Sequence, residues 1–126
     1  MAERRRLDWN DLPATKLYKL KVGRTIDDPW QLTINDVAPN VTGWTLSLTV
    51  WGPDGTVVID ARTVVADDPT HGGFVVRLNA ADSVTWAGAY TYTVLSVVPV
   101  ADPVFTLGAT KDLLSGTIEV TAAGGS

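Results

Sequence analysis

The stretch that most constrains this chain runs from Gly43 to Ala66, reading GWTLSLTVW, GPDG and TVVIDARTVVA. From Trp44 to Trp51 the side chains alternate without a break. Trp44, Leu46, Leu48 and Val50 share one face, and Thr45, Ser47, Thr49 and Trp51 share the other. A β-strand repeats every two residues, so this pattern buries one face and leaves the other wet. In Gly52-Pro53-Asp54-Gly55, proline presets φ and aspartate and glycine tolerate turn geometry, and a second β-branched run then returns. The stretch is a hairpin with Trp44 in the core.

Further alternating or β-rich runs lie on either side. Thr15–Val22 alternates with lysines on one face, which suits a sheet edge. Trp30–Ile34, Phe74–Leu78, Gly88–Val98, Val104–Leu107 and Gly116–Thr121 read as strands, separated by Gly, Pro, Asp and Asn clusters. Asn79–Asp82 reads as a single capped helical turn, and no amphipathic helix occurs. The sixteen threonines agree with this, since β-branched side chains pack well on pleated surfaces. The expected fold is all-β: an immunoglobulin-like antiparallel β-sandwich of seven or eight strands with an N-terminal arm. Residues 1–13 form a basic arm, 14–121 the sandwich and 122–126 a flexible tail. Within Asp82–Tyr92 (DSVTWAGAYTY), Tyr90 either bonds back across a sandwich corner or is simply a core aromatic.

At 126 residues this is one domain, long enough for a self-sufficient core. There is no cysteine, hence no disulfide, thiolate nucleophile or zinc-thiolate site. No apolar run approaches the ~20 residues that span a bilayer. The opening MAERRRLDWNDLP lacks the apolar segment of a signal peptide. A soluble chain with no membrane partner is expected.

The net charge of −4 conceals an asymmetry. Residues 1–24 carry seven basic side chains against three acidic, a net +4, and the remainder three against eleven, a net −8. A basic arm on an acidic body can bind nucleic acid, dock on an acidic neighbour or remain a solvated tail. The aromatic-bearing body is acidic, so nucleic acid is not the expected partner. Arg4, Arg5 and Arg6 can pair bidentately with carboxylates, and Trp9 and Leu12 add apolar anchors. These five residues are read as interface residues of an arm that is mobile when free and orders on docking. Trp51, out of phase with the core face, is the sixth candidate. It is either an interface aromatic or covered by its own chain.

Catalysis is hard to assemble. The single histidine, His71, lies in a Pro-Thr-His-Gly-Gly turn, and no Gly-x-Ser-x-Gly elbow is present. The aspartates sit mostly in turns, where backbone geometry favours them. The expectation is no enzyme, no cofactor and no metal site. Asn35-Asp36 offers a calcium ion only about three of the six to eight oxygens it needs.

The order of these features resembles a known family. Leu20-Lys21-Val22-Gly23 opens, Val41-Thr42-Gly43 ends the first long loop, and the central strand and Gly-Pro-Asp-Gly turn follow. A strand led by Gly73 then ends at Leu78-Asn79, Trp86–Tyr92 enters the longest strand, and Gly116–Val120 closes. The chain resembles the N-terminal immunoglobulin-like domain of phage baseplate upper proteins and similar small modules of tailed-phage virions, over residues 20–121. That resemblance implies a non-enzymatic structural subunit of a virion, in baseplate, tail or capsid, assembled in the host cytoplasm. Its partners would be other virion proteins and copies of itself. In that family the domain usually opens a longer protein with receptor-binding parts, whereas this sequence gives one domain, a departure that puts a receptor-binding role in doubt. The rivals are an adhesion or carbohydrate-binding module using Trp51 or Trp86 as a platform, and a cell-wall-active accessory enzyme.

Overall fold

A computed structural model describes residues 4–11, 14–100, 102 and 105–121. The central run folds as read. Leu46, Leu48 and Val50 point inward from β5 (Thr45–Trp51) and are almost wholly buried, with Trp44 beside them at the strand's start. β6 (Val57–Thr63) returns antiparallel to it. The turn between them closes with Gly52 N–H on the Thr56 carbonyl at 2.7 Å and Gly55 in the left-handed region, φ 84°. The remaining strands are β1 (Arg5–Asp8), β2 (Ala14–Thr15), β3 (Tyr18–Lys21), β4 (Ile26–Thr33), β7 (Val65–Asp68), β8 (Gly73–Leu78), β9 (Gly88–Val98) and β10 (Ala109–Thr121).

They form two layers. One sheet has the order β1-β4-β8-β7. In the other, β10, β9, β5 and β6 follow one another, with β2 and β3 both lying along the free side of β10. Two packed sheets in this order are the architecture of immunoglobulin-type sandwiches. The core lies between them, from Leu7, Trp30 and Phe74 on one layer to Leu20, Tyr92 and Leu114 on the other. Tyr90 occupies the predicted corner. Its hydroxyl accepts the Ala87 N–H at 3.1 Å, and its ring stacks on Trp86 with centroids 4.6 Å apart.

Two parts of the expectation need correction. The described residues form ten strands rather than seven or eight, and the sheets are mixed rather than antiparallel, because β1 runs parallel to β4 and β2 and β3 run parallel to β10. The physical reasons are local. The strand foreseen at Thr15–Val22 breaks at Lys16-Leu17, where the chain crosses Gly116 so closely that any side chain there would collide with the Lys16 carbonyl. That carbonyl accepts the Tyr92 hydroxyl at 2.7 Å. The run Val57–Ala66 changes layers. Ala61 takes a positive φ of 44°, buried Val64 donates to Leu46 at 2.8 Å, and the chain then joins β8 as β7.

Three boundaries also differ. β4 starts at Ile26, not Trp30, since Asp27 and Asp28 are held in the strand by Arg77 at 2.7 Å and by Tyr18 at 2.6 Å. Phe105–Leu107 is part of a turn, with Gly108 N–H bonded to the Phe105 carbonyl. β10 then runs unbroken from Ala109 except for a bulge between Asp112 and Leu114. The helical turn does form, as a 3-10 turn at Ala80–Ser83 whose Asn79 and Asp82 cap each other reciprocally.

Trp44 joins both layers to one end of the sandwich. Its ring lies edge-on to Trp9 and Phe105, and its indole N–H donates to buried Asp102 at 2.8 Å. Replacing it removes both packing volume and a donor to a carboxylate. Trp44→Ala should destabilise the domain by about 3–5 kcal/mol, read from urea unfolding with an unchanged m-value.

Candidate interaction surfaces

The first candidate is the N-terminal segment, which the structure places against the sandwich. Arg5–Asp8 adds a strand beside Trp30–Thr33 and inserts Leu7, 4% exposed, into the core. Trp9–Asp11 forms a 3-10 turn that drops the Trp9 ring onto Trp44 and Phe105. Lys111 covers that ring at 5.0 Å and donates to the Trp9 carbonyl at 3.1 Å. The expectation of a loose arm therefore does not hold for Arg4–Asp11. Its apolar residues alternate in phase with the core, and Arg4 and Arg5 find carboxylates on their own body.

The predicted interface residues consequently separate. Arg4 donates to Asp67 at 2.6 Å and to the Trp30 carbonyl at 3.2 Å. Arg5 reaches Asp28 at 3.3 Å. Trp9 is core. Arg6 is exposed on the outer face of the four-stranded sheet. There it lines an open basin of about 880 Å³ with Arg4, Arg77, Asp27, Asp67 and Gln31. Trp51 lies on the outer face of the six-stranded sheet, half-buried, opposite Val57 and Thr91. Arg6 and Trp51 are thus on opposite faces. Leu12 lies outside the described residues. Trp86 is 8% exposed beneath Tyr90, which removes it as a sugar-stacking platform.

One surface was not foreseen. The loops after β4 and β9 meet at the Trp44 end, and their tips expose Val37, Val100 and Leu107, the last 90% exposed. Val37 is held by a two-residue hairpin. It exchanges both backbone bonds with Ile34 across Asn35-Asp36, each at positive φ. That explains the Asn-Asp pair without a cation. Among the described residues no group of three His, Cys, Asp or Glu side chains is placed to hold a metal.

No protein-family model and no curated protein matches the chain. Among solved structures it is similar to the N-terminal domain of phage TP901-1 ORF48. The TM-score is 0.58 at 12% identity, over 91% of this chain and 93% of that one. The likeness is one of fold.

All four sheet edges of the described residues are blunted against pairing with another chain. β1 is four residues long, β7 is short and irregular, β3 presents Lys19 and Lys21, and β6 is bulged twice. β6 is also tied down at Arg62, whose guanidinium grips Asp82 bidentately at 2.6 and 2.8 Å. The arginine holds the Asp82 carboxyl below its ordinary pKa. A depressed folded value means that this contribution is complete above the unfolded carboxylate range near pH 4 and is lost as pH falls through the folded value. Asp82→Asn should lower stability by about 1–2 kcal/mol at pH 7, given the part-exposed arginine. The gap between the two proteins in urea unfolding should close below about pH 4.

The packing of the first strand makes its own prediction. Deleting residues 2–11, or Trp9→Ala alone, should cost about 3–5 kcal/mol in the isolated protein. A melting temperature equal to that of the intact chain would show that the segment is not part of the fold.

Proposed function

We propose that this chain is a structural, non-enzymatic module of a tailed-phage virion that works through protein–protein contacts. The observation that carries the reading is the end-to-end likeness to the N-terminal domain of phage TP901-1 ORF48, which covers nearly all of both chains. The order of turns and strands that resembles baseplate upper proteins supports it independently. The surfaces fit such a role. Edges are blunted against open-ended pairing, while Arg6 and Trp51 point outward from rigid sheets and apolar loop tips project from one end. Baseplate, tail and capsid attachment are all compatible with this arrangement, with other virion proteins and further copies of the chain as partners.

The test is mass spectrometry of density-purified particles from a phage carrying this sequence. The chain should co-purify in a fixed ratio to the major structural proteins, and disrupting its reading frame should give particles that lack it and are defective in assembly or adsorption. Absence from intact particles, together with specific binding on a glycan array, would replace this reading with that of a free adhesion module.

A further inference from the structure

The outer faces of the two sheets differ in kind. That of the four-stranded sheet carries two ion pairs within the chain, Arg4 with Asp67 and Arg77 with Asp27, beside the exposed Arg6. Across β5 and β9 the six-stranded sheet presents uncharged rows instead: Thr45 opposite Val97, Ser47 opposite Leu95, Thr49 opposite Thr93 and Trp51 opposite Thr91. Several of these are half-buried in one another, and Val97 is 39% exposed. β10 adds exposed Asp112 level with Leu95 and exposed Glu119 level with Ala89. The β5–β9 part, a pleated field of hydroxyls and apolar groups, desolvates at little cost compared with a charged one.

Its flanks differ in charge, with lysines on one side, where Glu119 stands beside Lys19, and aspartates on the other. On the β3 side Tyr18 and Leu20 point inward, which turns Lys19 and Lys21 outward. On the β6 side Ile59 points inward, which turns Asp60 outward, and exposed Asp54 lies in the adjoining turn. The heights along the strands match. Lys19 is level with Glu119 and Ala89, and Pro53, next to Asp54, packs over Gly88. A two-fold axis lying between two copies and parallel to the strands exchanges left and right flanks while preserving height. It would set the lysines of each copy over the Asp54 side of the other.

We infer that the outer face of the six-stranded sheet is a self-complementary docking surface for a second copy of this chain, centred on Thr93 and Ser47 and keyed by Lys21 against Asp54. This deepens the structural-module reading by naming one partner and the face it occupies. Five strand positions about 4.8 Å apart, with strands of some seven residues, give a face of roughly 500 Å². That is at the lower end for specific interfaces, so a micromolar dissociation constant is expected.

Sedimentation velocity of the full chain, from about 1 to 500 µM, tests it. A monomer–dimer equilibrium that weakens as salt rises is expected. Thr93→Arg, or Ser47→Arg if the first fails to fold, should raise the dissociation constant on the order of 100-fold with an unchanged circular dichroism spectrum. Lys21→Glu should weaken it about tenfold, and Lys21→Glu combined with Asp54→Lys should restore it. A folded chain that stays monomeric throughout, or a dimer indifferent to both arginine variants, overturns the inference. A chain found in particles yet monomeric in solution removes this face while leaving the virion assignment standing. A dimer found in no particle does the reverse.

Discussion

The carboxylate of Asp28 is the point at which the two layers and the first strand are held to one another. It accepts the Tyr18 hydroxyl at 2.6 Å from the six-stranded sheet, and the Trp30 indole N–H at 3.0 Å and Arg5 at 3.3 Å from the four-stranded one. A charge so enclosed is tolerated only when several donors replace the water it has lost. Burial, reinforced by the neighbouring carboxylate, pushes the Tyr18 phenol well above its ordinary pKa, so it remains a donor throughout the accessible pH range. Because one of the donors comes from β1, the N-terminal segment belongs to the solution of this electrostatic problem. Leu7 and Trp9 then add the apolar burial that holds the segment in place.

How much of this was legible follows from the range of each interaction. The hairpin, the Tyr90 corner and the capped turn at Asn79 could be read because each is determined by residues within a few positions of one another. The ten-strand count and the mixed sheets could not, because they depend on contacts between distant segments. Lys16 crosses Gly116 a hundred residues away, and Leu7 finds its place only once β4 exists. The docking of the arm is hidden from the sequence for the same reason. Arg4–Arg6 reads as a block of like charge along the chain, yet the aspartates that meet Arg4 and Arg5 are supplied by β7 and β4. A signal was present in the alternation Arg5, Leu7, Trp9, which matches a strand with one buried face.

The candidate interface residues were less legible than the fold. Sequence reasoning finds an out-of-phase aromatic, but it cannot tell which sheet will carry it or what will surround it. Trp51 reads in sequence as an isolated residue and belongs to a continuous field, in which its neighbours are Thr91 of β9 and Val57 of β6. Trp86, a tryptophan in a polar stretch, reads as a platform and proves to be the floor under Tyr90. The apolar loop tips at Val37 and Leu107 were hidden because isolated aliphatic residues in loops carry no pattern.

These features divide the labour within the molecule. Ion pairs hold the four-stranded sheet and the first strand together, through Asp28, Asp67 and Asp27. The six-stranded sheet is held by its long β9–β10 ladder and by apolar packing beneath it, so its outer face needs no charge for stability. A face free of structural duties, bounded by blunted edges, can bind flat against another surface but cannot extend a sheet. The two-fold contact proposed for this face would close an assembly instead of propagating it, because one partner satisfies face-to-face contact.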